Sequence, residues 1–224
     1  MKTVWIFSNA VAVVTTLVCM SYLYYACRPA RRRLPVFSGL VIGVTALVSG
    51  LQFVYPWVLA ALRRDPDAIR TGELWRLVTA LFVQPNGLGQ FLANGFLILA
   101  FMPAAERLFG RYVLAVYFAA GLAGQVANYF WDSGSGGSST AIFGIMGSVL
   151  IYVIRSRRVL LLPFTFIAST GVLASAVMIL SRDGHGVGLI VGALTASLLP
   201  MAEMSFRARG HERSTFVDHR RYVP

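Results

Sequence analysis

Seven long apolar stretches, almost free of charged side chains, divide this 224-residue chain: 4–27, 36–62, 88–105, 112–131, 139–154, 159–180 and 186–204. Each is close to the roughly 20 residues needed to cross the hydrocarbon core of a bilayer. Between them the charges cluster in short connections, as expected when an arginine at the bilayer centre costs about 2.5 to 3.5 kcal/mol. Composition agrees: 57% of residues are hydrophobic and 13% charged, too few polar groups to cover a water-soluble domain. Backbone amides must be satisfied within each segment in lipid, so the spans are helices. The fold class that follows is an all-α, polytopic membrane helix bundle. The fifth stretch is short, which predicts that its start is sunk below the membrane surface.

The chain carries a net charge of +11, which in a soluble protein would suggest nucleic acid. Here the charges sort by side. Arg28 to Arg33, Arg107, Arg111, Arg155 to Arg158 and the tail after 204 hold fourteen of the twenty basic residues; the alternate connections hold six. The positive-inside rule then puts the C-terminus in the cytoplasm and the N-terminus outside. The charge is an orientation signal, and the expected environment is the lipid bilayer with no nucleic acid. The first stretch is followed, not preceded, by its arginines, so it is expected to be a retained helix and not a signal peptide. Cys19 and Cys27 lie eight apart in it and read as packing residues, without disulfide or metal-ligand spacing.

Polar residues inside spans are functional candidates. His185 is the only histidine in the apolar body and opens the last span; Ser139 opens the fifth. Both helices start at the same membrane face, so the two side chains can share one cavity. A serine hydroxyl needs an adjacent base to act as a nucleophile, and histidine can be that base. Gly188 and Gly192 lie three and seven residues after His185 and form a GxxxG pair that permits close helix approach. Gly144 and Gly147 offer the same on the partner helix, and Phe143 stands one turn below Ser139, able to pack on an imidazole. Spacing alone leaves other readings open: Ser139 as a helix N-cap, His185 as an interfacial residue, and the glycines as packing only.

Longer motifs go further. Gly137-Ser138-Ser139-Thr140-Ala141-Ile142-Phe143-Gly144 resembles the GxSGAIFG signature of rhomboid intramembrane serine proteases, and Gly184-His185 through Gly188 and Gly192 resembles their AHxxGxxxG signature. Trp75-Arg76, Asn94 and the Glu106/Gly110 pair resemble further family marks, in the family's order. The resemblance covers about residues 36–204. It implies a six-helix rhomboid core at 35–204, preceded by an extra N-terminal helix with its basic loop at 1–34 and followed by a basic cytoplasmic tail at 205–224.

The resemblance also implies an activity: hydrolysis of a peptide bond within the membrane, near the outer face, with neither metal nor cofactor. Ser139 would be the nucleophile and His185 the general base, a dyad and not a triad. Asn94 would donate to the oxyanion with the Ser139 backbone N–H, and Gln90 would stand in for a histidine found in many bacterial members. Such donors are worth about 2.7 to 4 kcal/mol each. Substrates would be single-span membrane proteins with a weakened helix, entering past the fifth core helix, and the compartment a bacterial plasma membrane. Thr140 replaces the usual glycine after the nucleophile, and its branched side chain is expected to crowd the cavity mouth. The presence of both Ser139 and His185 favours the enzyme, while Thr140 keeps open the alternative of a catalytically weak or inactive rhomboid-like protein that binds membrane clients. Pro103 is expected to kink its helix near the inner end. Glu106 is expected to be a hydrogen-bond anchor, and Trp75 and Arg76 to fasten the outer loop.

Overall fold

The computed structural model describes residues 2–28, 34–131, 136–156, 162–199 and 205–206. The tail beyond 206, with His211 and His219, lies outside them, as do most of the first basic loop and part of the Gly-Ser segment before Ser139. The described chain is helical: α1 (Lys2–Ala26), α2 (Val36–Val54), α3 (Pro56–Leu62), α4 (Pro66–Arg70), α5 (Arg76–Thr79), α6 (Leu88–Phe109), α7 (Val113–Phe130), α8 (Ser139–Arg155), α9 (Leu162–Leu180) and α10 (Gly184–Leu198). A two-residue antiparallel ladder joins Cys27–Arg28 to Ser205–Phe206. The protein is an integral membrane protein of the all-α class. The stretches Ile6–Tyr24, Val36–Val54, Leu88–Phe130 and Leu162–Leu180 are long and apolar enough to cross a membrane. The third of these is two helices, α6 and α7, separated by a 3-10 turn at Gly110–Tyr112 that begins at a left-handed glycine (φ 58°).

The helix boundaries differ from the sequence expectation at two places. The stretch 36–62 is two helices, broken at Tyr55, which is extended (φ −122°, ψ 93°). The cause is Pro56, whose ring excludes the α conformation from the residue before it and then starts α3 from its favoured first position. Helix α6 runs through Pro103 to Phe109, beyond the expected end at 105. The last helix begins earlier than expected, at Gly184, and its described part ends at Leu198.

Helices α8 and α10 form the centre. They have 17 and 15 residues, about 25 and 22 Å at the usual rise of 1.5 Å per residue. The short fifth span is thus matched by a short last one. Thirteen of the α8 residues are buried, including Met146, Val149, Leu150 and Val153. Glycines set the α8–α10 distance. A β-carbon on Gly188 would overlap the Thr140 carbonyl, one on Gly192 the Gly144 carbonyl, and one on Gly147 the Leu189 carbonyl. Gly144 meets α7 as well, through the Ala120 β-carbon. Backbone therefore packs on backbone, which in lipid replaces the hydrophobic drive that water would supply.

Helix α1 lies along α9. Tyr22 stacks on Phe164 with ring centroids 3.6 Å apart, and Gly171 leaves space that Thr15 fills. Polar side chains fasten the two ends of the bundle. At the end away from Ser139, the Glu106 carboxylate accepts from the backbone N–H groups of Phe37 (3.1 Å) and Ser38 (2.7 Å), capping α2. Arg155 donates to the Ser197 carbonyl (2.7 Å) at the end of α10. Near the other end, Arg76 binds Glu73 (2.6 Å) and the Ala60 carbonyl (2.8 Å), so Arg76 does fasten its loop.

A Gly192→Ala substitution gains about 1 kcal/mol of helix propensity but forces backbones apart at a cost of about 1 to 3 kcal/mol. Thermal unfolding in detergent should therefore show a lower Tm. Gly95→Ala, where an added β-carbon meets nothing within 4 Å, should leave Tm equal or raise it.

Candidate active site

Ser139 is the first residue of α8 and His185 the second of α10. Because the glycine contacts hold those helices together at these ends, the imidazole Nε2 of His185 stands 2.8 Å from the Ser139 hydroxyl oxygen. Phe143 packs against the ring, centroid to centroid 4.7 Å at 46°. The capping reading of Ser139 does not hold, since the N-cap position is Ser138 and no side chain there bonds the helix. Ser138 is fully buried, and it is Ser139 that meets the imidazole.

The other ring nitrogen has an acidic partner. His185 Nδ1 lies 2.6 Å from Asp183 Oδ1, and the same oxygen accepts from the His185 backbone N–H at 3.0 Å, making Asp183 the N-cap of α10. A carboxylate only accepts, so the proton sits on Nδ1 and Nε2 is left to accept from Ser139. Asp183 is 6% exposed. Burial alone would raise its carboxyl. The hydrogen bond and charge of His185, with the Asn9 amide and the His185 backbone N–H, outweigh that and hold it below the usual carboxylate range. A depressed carboxyl contributes stability above its unfolded value and loses it as pH falls through the folded one, so this contribution persists at neutral pH and vanishes in acid. The sequence expectation had two members at this point, not three. The available signal was an Asp-Gly-His run, and an aspartate before a helix reads first as a cap.

Asn94 is buried on α6, and its Nδ2 donates to Gln84 Oε1 (2.8 Å). Gln84 is in turn held by reciprocal bonds with Gln52, each 2.8 Å. Gln84 and Gln52 were not expected at the site; their contacts join residues 10 and 32 apart. Gln90 is more committed than expected. Its Oε1 accepts from Asn86 N–H (2.9 Å) and its Nε2 donates to the Gly136 carbonyl (3.1 Å), so it holds the chain just before Ser139. A β-carbon on Gly137 would overlap Gln90 Nε2 and lie 3.6 Å from Asn94 Nδ2. Both amides thus reach the backbone two residues before Ser139, and Gly137 holds a left-handed φ of 129° that suits glycine.

Two residues on α7, Gln125 and Asn128, brace the same region. Gln125 donates to the Gly137 carbonyl (3.2 Å) and accepts from buried Arg64. Asn128 Oδ1 accepts from Gly184 N–H (3.1 Å), fixing the start of α10. Thr140 corrects the sequence expectation. It is 2% exposed, and its β-carbon would be 2.6 Å from one added to Gly124 of α7. Its side chain therefore fills the α7–α8 interface, away from the cavity mouth, because the glycine at 124 makes room for it. The crowding on which the inactive alternative partly rested is not there.

A serine hydroxyl and an imidazole, both half-buried, with amide donors nearby at one end of a membrane bundle, are groups that can together perform acyl transfer. Residues 71–201 match the rhomboid domain family model, more than half of the chain, and the protein belongs to the rhomboid family. It is similar to rhomboid protease GluP of Bacillus subtilis (strain 168), 31% identical over 180 residues covering 74% of this chain and 35% of that one. It is also similar to rhomboid-like protease 2 of Toxoplasma gondii, 29% identical over 199 residues covering 77% of this chain and 68% of that one. The chain spans about a third of the length of the first relative.

Thr140→Gly restores the residue usual in the family. Since Thr140 packs on Gly124, losing its buried carbons at about 0.8 kcal/mol each, with a further helix penalty of about 1 kcal/mol, should lower Tm.

Proposed function

We propose that this protein is an intramembrane serine endopeptidase that cleaves transmembrane segments near the outer face of the membrane. The observation that carries the reading is the 2.8 Å contact between Ser139 Oγ and His185 Nε2, in a chain of the rhomboid family.

In this reading Ser139 Oγ attacks the scissile carbonyl carbon as its proton passes to His185 Nε2. The carbonyl π electrons move to oxygen, giving a tetrahedral oxyanion. Asn94 Nδ2, whose second proton is not used by Gln84, and the Ser139 backbone N–H donate to it. The first amides of a helix have no intrahelical acceptor, so the start of α8 has donors to offer. The oxyanion then collapses, the C–N bond breaks, and His185 gives its proton to the departing amine. Water, deprotonated by the same imidazole, hydrolyses the acyl-enzyme. Gln90 serves mainly to hold Gly136, a secondary role compared with Asn94.

Substrates are single-span membrane proteins whose helix is weakened locally, because a helical peptide bond is shielded from attack and Gly or Pro loosens it. The charge distribution supports a plasma membrane orientation with the N-terminus and the site outside and the C-terminus in the cytoplasm. The division into an N-terminal helix at 1–34, a six-helix core at 35–204 and a tail at 205–224 is part of the same reading.

The test is cleavage of a single-span substrate by purified protein in liposomes, with fluorophosphonate labelling alongside. Ser139→Ala and His185→Ala should abolish cleavage, and Ser139→Ala should abolish labelling while Ser138→Ala retains it. Asn94→Ala should lower kcat by about 10²- to 10³-fold. Cleavage that survives Ser139→Ala would overturn the assignment. Binding of substrate without cleavage or labelling by the wild type would favour a client-binding role.

A further inference from the structure

Asn9 is an amide in the second turn of the apolar helix α1, 176 residues before His185 and outside the span 71–201 that matches the family. Polar residues in such helices are costly and usually have a use. Asn9 Nδ2 donates to Asp183 Oδ2 at 2.9 Å. The opposite oxygen of that carboxylate holds the His185 ring at Nδ1 (2.6 Å) and the His185 backbone N–H (3.0 Å). We propose that Asp183 and Asn9 are positioning residues for His185, so that the N-terminal helix is a working part of the active site. This rests on the assignment of His185 as the base.

Each contact removes a freedom. Oδ1 takes two donors from the same residue, which ties the ring to the start of its own helix. The Asn9 bond occupies Oδ2 and prevents the carboxylate from rotating away from Nδ1. Phe143 closes one face of the ring. With Nδ1–H held by an acceptor, the tautomer presents an unprotonated Nε2 to Ser139, the form a general base requires. When Nε2 takes the serine proton, the imidazolium forms beside a carboxylate already oriented toward it. The Nδ1 proton stays on nitrogen and Asp183 stays ionised throughout; the Nε2 proton leaves with the amine. A neutral amide is suited to the outer position, because it orients the carboxylate without cancelling its charge.

Helix α1 can deliver this bond reliably because it is fixed on α9 along its length. The Tyr22–Phe164 stack and the Thr15–Gly171 contact set its depth and rotation. Asn9 then falls at the end of the bundle where α9 passes into α10.

The test uses the full-length protein, with kcat and KM on a single-span substrate and the second-order rate of fluorophosphonate labelling. Asn9→Leu removes the amide at similar size, and should lower kcat and the labelling rate about tenfold, the scale of one hydrogen bond to a charged group, with KM and Tm little changed. Asp183→Asn should lower them on the order of 10²- to 10⁴-fold. In the double variant Asn9→Leu should add no further loss, as expected for residues acting in series, and Asn9→Ser, which keeps a donor, should recover part of the rate. Wild-type rates in Asn9→Leu, or losses that multiply in the double variant, would overturn the role of Asn9. If Asn9→Leu does not fold, Asn9→Ala enters the same comparison. Wild-type rates in Asp183→Asn would overturn the whole relay. In those cases inactive Ser139→Ala leaves the protease reading standing, while active Ser139→Ala removes the reading itself.

Discussion

Two helix backbones in direct contact hold this protein's chemistry together. Between α8 and α10 there is no layer of side chains at Gly144, Gly147, Gly188 and Gly192; carbonyls of one helix occupy the space a β-carbon of the other would need. Lipid gives apolar side chains little reason to leave it for one another, so closeness of fit must supply the attraction. The same fit fixes the relative height of the two helices. Ser139 and His185, each at the start of its helix, are neighbours because the glycines one and two turns below them allow no other spacing.

Around that centre the polar groups divide by depth. Mid-bundle side chains are mostly apolar and interlocked, as with Phe101, Met102, Ile145 and Met146, with a few small hydroxyls such as Thr45 and Ser148 among them. The ends are fastened by hydrogen bonds whose partners come from distant parts of the chain. At one end Glu106 caps α2 and Arg155 holds the last carbonyls of α10. At the other, amides predominate: Gln52, Gln84, Asn94, Gln125 and Asn128 link helices α2, α6, α7 and α10 to the loops between them. Amides suit a buried site where reacting groups carry transient charge, since they donate and accept without bringing a fixed charge of their own.

Much of this was legible in the sequence, for reasons that can be named. The spans showed because charge is expensive in lipid, and the Ser139 and His185 pairing showed because motif spacing and alternating topology put both at one face. The break at Tyr55 was also in principle visible, through Pro56. Other features depend on contacts that no local pattern encodes. The direction of the Thr140 side chain is decided by a glycine at 124, on another helix. The bond between Asn9 and Asp183 spans 174 residues. Asp183 itself was hidden by having two uses, since a cap for α10 explains an aspartate there before any role toward the imidazole is considered. Gln90 was expected to donate to an oxyanion, but its amide is engaged with the loop at Gly136, a geometry that only the assembled chain reveals.

The burial of α8 has a mechanical side. Thirteen of its seventeen residues are enclosed by protein, against five of nineteen in α9. Hydrophobic mismatch acts on surfaces that meet acyl chains, and helices there respond by tilting or by distorting the bilayer. Here those surfaces belong to α1, α2, α6, α7 and α9 and to Leu194 and Leu198 near the far end of α10, while the helix that bears Ser139 meets almost none. A change in bilayer thickness therefore strains the surrounding helices first, and Ser139 is shielded from it by the protein around α8.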